Sequence, residues 1–138
     1  MNQLADRAAI HDLNTRYAVA FDSFELEESS GCWAEDGVLD ERETGHGLFE
    51  GRAAVRDFFR DTLFAHARHV IHVMFNHLVT AIDGDHATGS VFCLVEVVKS
   101  DGGYVRSHVR YEDEYVRVDG EWKFRSRVLK PSFPGAPA

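Results

Sequence analysis

The chain has 138 residues, 44% of them hydrophobic and 28% charged, with a formal net charge of −8, which describes one soluble globular domain long enough to bury a core. No two Lys or Arg residues are adjacent, which together with the negative charge argues against nucleic-acid binding through neutralised phosphates. A polar, charged start and the lack of any apolar run of membrane-spanning length point to a cytoplasmic protein without membrane contact.

The spacing of Ile10, Leu13, Tyr17, Phe21 and Phe24 predicts an amphipathic helix from Ala5 to about Phe21. Tyr17 lies in its apolar stripe, and its hydroxyl then needs a partner or a cavity. Asp22 is five residues on, about 140° around an ideal helix, and faces inward only if the helix ends or bends there. A second short helix is expected over Leu26 to Ala34, with Cys32 and Trp33 as core contacts. Glu35-Asp36-Gly37 then turns into a short strand at Val38-Leu39, and Leu48-Phe49 forms the other arm of a small hairpin. Arg52 to Phe64 reads as a third helix, with Val55, Phe58, Phe59, Thr62 and Leu63 on one face.

Four long strands follow: Arg68–Ile82, Ala87–Lys99, Tyr104–Val118 and Trp122–Leu129. Their connections, Asp83-Gly84-Asp85, Asp101-Gly102-Gly103 and Asp119-Gly120-Glu121, all carry Asp-Gly, a strong hairpin signal. The second half is therefore an antiparallel meander covered by the helices of the first, an α+β arrangement. Residues 131–138 are too rich in Pro and Gly for regular structure, and Phe133 is placed to anchor this tail over a pocket mouth.

The first long strand is unusual in carrying polar residues among apolar ones. Alternation puts His72, Met74, Asn76 and Leu78 on one face and Val73, Phe75, His77 and Val79 on the other. A His and an Asn on an apolar face need partners or a cavity. The series His66, His69, His72 does not read as a metal site. His69 points opposite to His72, and six residues of strand put His66 about 20 Å away. Cys32 and Cys93 have neither disulfide-framework nor zinc spacing and read as buried thiols. No cofactor motif is present.

Several segments together carry a resemblance. Leu4-Ala5-Asp6-Arg7-Ala8-Ala9-Ile10-His11-Asp12-Leu13 with Tyr17 and Asp22, then Gly51-Arg52-Ala53-Ala54-Val55-Arg56-Asp57-Phe58-Phe59, are two of them. His72-x-x-x-Asn76 before Asp83-Gly84-Asp85-x-Ala87, and Tyr111-x-Asp113-x-Tyr115-x-Arg117-x-Asp119-Gly120-x-Trp122-Lys123, are the others. The chain resembles the SnoaL-like, scytalone dehydratase-like families of the cone-shaped nuclear transport factor 2-like fold. That resemblance implies a curved antiparallel sheet whose concave face is covered by three N-terminal helices, enclosing an apolar pocket. It implies a cofactor-free lyase, a dehydratase or related elimination enzyme, acting on a mostly apolar cyclic small molecule through an Asp-His dyad. Asp22 and His72 match the dyad, and Tyr17 matches a tyrosine found five residues before the Asp in a dehydratase of the group. Asn76, His108 and Tyr111 are the expected substrate-binding residues. His108 stands for a second strand histidine, although its parity opposes that of Tyr111 and Tyr115 unless a bulge intervenes. The same fold also serves ketosteroid-type isomerases, polyketide cyclases and non-catalytic binding or structural subunits. Both faces of Ala87–Lys99 carry apolar residues, so the second face is expected to be covered in a homodimer or homotrimer.

Overall fold

A computed structural model describes residues 3–131; of the tail expected to be irregular over 131–138, Pro131 instead closes the last strand opposite Val109, and the rest, with Phe133, lies outside the described residues. Helix α1 (Gln3–Asp22) and the short α2 (Leu26–Ser30) precede β1 (Trp33–Asp40) and β2 (Leu48–Glu50). Helix α3 (Arg52–Phe58) is followed by the meander β3 (Ala67–Asp83), β4 (His86–Lys99), β5 (Tyr104–Val118) and β6 (Glu121–Pro131). The six strands form one sheet in the order β2-β1-β6-β5-β4-β3. It is curved and unclosed, and the helices pack on one face, as an α+β reading requires. None of the described helices is long and apolar enough to cross a membrane.

The buried side of α1 is wider than one stripe. Ile10, Leu13, Tyr17 and Phe21 are buried, and so are Asn14 and Ala18. The row Asn14–Ala18–Asp22, spaced by four, runs along the same face, so Asp22 lies at the edge of the buried surface and not behind it. The helix also stops at Asp22: Ser23 and Glu25 donate back to the Val19 and Ala20 carbonyls at 3.1 and 2.9 Å, and Phe24 has φ +58. Phe24 therefore leaves the stripe and packs on Phe64 at 5.3 Å between ring centroids. Asp6 fastens the other end of α1, accepting from Arg117 Nη1 at 2.7 Å and Trp122 Nε1 at 3.1 Å.

The second helix is shorter than expected, because Gly31 ends it and Trp33 already pairs with Phe124 of β6. The strand β1 runs parallel to β6, with a register break between Trp33 and Val38. Glu35-Asp36-Gly37, expected as a turn, lies in that break. A Cβ on Gly37 would stand 2.7 Å from the Phe124 carbonyl oxygen, so the two backbones approach only because this residue is glycine. The third helix has its expected length but not its expected winding. After Phe58 it opens into a π-helical turn over Phe59–Leu63 and ends in a tight turn at Phe64–His66. The wide turn lets the adjacent Phe58 and Phe59 both bury.

The core is strongly aromatic. Trp33 lies 4.8 Å from Phe124 and 5.4 Å from Tyr17, and Phe21 lies 5.0 Å from Phe59, all ring to ring, each such pair adding about 0.5–1.5 kcal/mol beyond area burial. The sheet's other face is left apolar where β3 and β4 meet. Ile71, Val73 and Phe75 are 52, 47 and 38% exposed, Val73 faces Leu94 across the ladder, and Phe75 stacks on Phe92.

One carboxylic acid is buried at the end of β1. Glu41 is 8% exposed, and burial raises its pKa to about 7. His46 Nδ1, at 3.8 Å and on a substantially exposed ring, is beyond hydrogen-bond reach and does not offset the desolvation. A carboxyl raised in this way contributes stability that is complete below its unfolded value of 4.5 and is lost as pH rises through about 7. Glu41→Gln should therefore match the wild type in denaturant unfolding at about pH 4. It should exceed the wild type by about 1–3 kcal/mol at about pH 8. Equal stability of the two proteins at both pH values would show that Glu41 is not desolvated.

Candidate active site

The strand β3 meets the end of α1 at His72. The Asp22 carboxylate accepts the His72 backbone N–H at 2.8 Å through Oδ2, and its Oδ1 lies 2.6 Å from His72 Nδ1. Two contacts from one carboxylate fix the imidazole in position and orientation, with the proton on Nδ1 and Nε2 left as the basic nitrogen. Only 5% of the His72 side chain and 23% of Asp22 are exposed. The imidazole is walled by Phe21, 4.9 Å away, and Tyr17, 5.6 Å away. Burial holds the Tyr17 pKa well above its ordinary value, so its hydroxyl is a neutral donor. The two surface hollows, of about 200 and 380 Å3, lie elsewhere. One is lined by Asp83, His86, Glu114 and Arg125, the other by Asp12, Arg16 and Trp122.

The remaining expected site residues are divided by the course of the strands. Tyr111 is 1% exposed on the inner face of β5 and lies under the Arg127 guanidinium, 4.1 Å from ring centre to Cζ. Asn76 is not at the site. The β3–β4 register slips between Phe75 and Leu78, and Asn76 takes φ +51 at that bulge and is exposed. The extra residue reverses the alternation, so that His77 takes the inward position instead. His108 is also not at the site. The β4–β5 ladder runs without a break, and Val109, Tyr111, Asp113 and Tyr115 occupy the inner face, which puts the exposed His108 on the outer one. No cluster of three metal-ligating side chains occurs among the described residues.

A second polar centre was not anticipated. Arg127 has no exposed surface. Its Nε and Nη2 donate to the two oxygens of Asp113 at 2.8 and 2.7 Å, and Nη2 also donates to Asn14 Oδ1 in a short contact. The Tyr115 hydroxyl donates to Asp113 Oδ2 at 2.7 Å. The guanidinium lies 4.0 Å from the Phe124 ring and 5.2 Å from that of Tyr17. Burial alone would lower the Arg127 pKa, but the charge and hydrogen bonds of Asp113 outweigh it and hold the group cationic. Its Nη1 is buried without a hydrogen-bond partner among the described residues. Arg127 was missed because Trp122 and Phe124 set the inner face of β6, and strict alternation then sends Arg127 outward. A register slip opposite Glu114/Tyr115 turns it in. The available signal was Asp113, a carboxylate alternating with Tyr111 and Tyr115 on one face.

His77 belongs to the edge of this network. Its Nε2 lies 3.3 Å from the Tyr115 hydroxyl and 3.4 Å from Asn14 Nδ2. Burial and the neighbouring His11 lower its pKa to about 4, which keeps it neutral. Cys93, on the inner face of β4, is pushed up to about 11 by burial and feels the charges of both Arg127 and Asp22. The Tyr17 ring lies between the His72 and Arg127 centres, 5.6 Å from the His72 ring and 5.2 Å from the Arg127 Cζ.

The chain resembles known proteins across nearly its whole length. It is 28% identical over 129 residues to gamma-hexachlorocyclohexane dehydrochlorinase of Sphingobium indicum, covering 92% of this chain and 81% of that one. A Novosphingobium aromaticivorans structure provisionally named an aromatic ring hydroxylase superposes with a TM-score of 0.90 at 31% identity, covering 95% of this chain and 92% of the other. A structure from the same organism provisionally named a scytalone dehydratase shares the fold, with a TM-score of 0.86 at 21% identity over 95 and 87% of the two chains. The SnoaL-like domain model matches residues 2–128, and with that span the chain belongs to the SnoaL-like domain family.

Proposed function

We propose that this protein is a cofactor-independent lyase that eliminates water, or a similar leaving group, from a mostly apolar cyclic small molecule. The observation that carries the reading is the double contact of Asp22 with the backbone N–H and Nδ1 of His72. It leaves Nε2 as a base in an aromatic enclosure. His72 Nε2 takes a proton from carbon, the C–H electron pair becomes the new double bond, and the leaving group departs with its bonding pair. If the leaving group is hydroxide, the imidazolium returns the proton and water results. Asp22 stabilises the transient imidazolium. Tyr17 and the free Nη1 edge of Arg127 face charge developing on oxygen or halogen, and an apolar enclosure strengthens each contact.

The names of relatives support the reaction type, since a dehydrochlorinase removes HCl from a ring. Tyr17, as a neutral donor, suits a leaving hydroxyl. The site is built within one domain, and the two free, buried thiols Cys32 and Cys93 suit a reducing cytoplasm. A non-catalytic binding or structural subunit is the second reading, since the fold by itself does not specify catalysis. A wild-type protein inert on every substrate below would support it.

The test is turnover on a panel of cyclic β-hydroxy ketones and gamma-hexachlorocyclohexane, followed by enone absorbance and chloride release. His72→Ala should abolish nearly all of it, and Asp22→Asn should be almost as damaging because the amide cannot stabilise the imidazolium. Tyr17→Phe should cost about 10- to 1000-fold, the loss of one neutral donor. A folded His72→Ala protein with near-normal turnover rules the mechanism out.

The second prediction concerns assembly. The exposed stripe of Ile71, Val73 and Phe75, continued by Phe92 and Leu94, suits a second copy of this chain, giving a homodimer or homotrimer. Light scattering after size exclusion should return two or three times the 15.6 kDa chain mass. Val73→Lys should shift the population toward monomer. A wild-type monomer at micromolar concentration would contradict the assembly.

A further inference from the structure

We propose that Asp113 is the positioning residue that aims Arg127 at the reacting centre, with Asn14 as the second fixed point. The inference deepens the lyase reading and rests on it. A guanidinium is a rigid planar fork with five N–H donors. Asp113 takes one from Nε and one from Nη2, and Asn14 Oδ1 takes the other from Nη2. The two that remain are both on Nη1, the buried atom without a partner among the described residues, and planarity directs them away from Asp113. The rings of Phe124 and Tyr111, at 4.0 and 4.1 Å, resist tipping of the plane. The aim is therefore fixed in three dimensions.

The fixing groups are themselves held. The Tyr115 hydroxyl donates to Asp113 Oδ2 at 2.7 Å, and burial, then the charge of Asp113, raises its pKa and keeps it a donor. The Asn14 amide donates to the Ile10 carbonyl at 3.2 Å and lies 3.4 Å from the Tyr115 hydroxyl. Asp113 and Arg127 are also direct neighbours across the β5–β6 ladder. A merely structural role accounts poorly for this arrangement. A buried ion pair is a weak stabilising device compared with apolar packing of equal volume, and an unmet N–H pair adds a desolvation cost. A pair of donors oriented before the substrate arrives is what stabilisation of developing negative charge requires.

The probe is 4-nitrophenol, whose anion mimics an enolate oxygen and whose ionised and neutral forms differ in absorbance. Titrated against pH with the full-length wild type, it should bind at least about ten-fold more tightly as the phenolate than as the phenol. Folded Asp113→Asn should lose that preference. The sign is diagnostic: removing a carboxylate leaves the Arg127 charge uncompensated, so an effect of charge alone would tighten phenolate binding. Only a lost aim weakens it. Asp113→Glu keeps the charge but displaces the fork by one methylene, and should weaken phenolate binding in the same direction. It also decides the question if Asp113→Asn does not fold. With a panel substrate, Asp113→Asn should lower kcat by about 100-fold with KM nearly unchanged. Retained or tighter phenolate binding in both Asp113 variants overturns the positioning role and leaves the lyase reading intact. A wild type with no phenolate preference counts against the lyase reading and overturns this inference with it.

Discussion

A guanidinium with no exposed surface is the most demanding group in this molecule, and the structure around it is arranged to meet that demand. Moving such a charge out of water costs several kcal/mol even after relaxation. Arg127 recovers that cost through the bidentate contact with Asp113, the amide oxygen of Asn14 and the faces of three aromatic rings. Those partners come from α1, β5 and β6, so the cation fixes the helix against the sheet at the point where both must be rigid. The rings of Tyr17, Tyr111 and Phe124 around the guanidinium serve the same demand. Apolar aliphatic walls would bury the cation equally well but would not attract it.

The same geometry separates two polar centres across one tyrosine ring. On one side, the Asp22 carboxylate holds the His72 imidazole. On the other, the Arg127–Asp113 ion pair leaves Nη1 without a partner among the described residues. Tyr17 touches both, with its ring 5.6 Å from His72 and 5.2 Å from the Arg127 Cζ. In the proposed elimination, positive charge would form at the base and negative charge at the substrate together, and an anion behind the base with a cation on the other side of Tyr17 would lower the energy of both. Arg127 already has its counterion in Asp113, whereas the Asp22 carboxylate is held by the backbone N–H and Nδ1 of His72.

The architecture was legible in the sequence because it rests on periodicity and turn chemistry. The three Asp-Gly connections located the four meander strands to within about two residues. Alternation failed wherever a strand bulged. One inserted residue at Asn76 turned an expected site residue outward and His77 inward, and another near Arg125 turned Arg127, which strict alternation from Phe124 would send outward, into a buried cation. Bulges are set by long-range packing and leave no local mark in composition. His108 was a different failure. Family resemblance suggested an inner position that its own parity denied, and the unbroken ladder followed parity. Asp22 met its stated condition: the helix ends at that residue, and the buried face extends past Tyr17 to Asn14 and Ala18, so the carboxylate reaches His72.

The parallel contact between β1 and β6 has a consequence for how the molecule forms. Trp33 must find Phe124, and Asn14 must find Arg127 at a separation of 113 residues, whereas the hairpins of the meander close locally. Loop-closure entropy is therefore concentrated in the pairing of the first third of the chain with the last strand. The meander can assemble early, but the cation stays in water until α1 arrives, and an arginine there is an obstacle to premature collapse of the sheet's inner face. Docking of α1 alone brings Asn14 onto Arg127 and Asp22 onto His72, so both polar centres are completed by the same long-range contact.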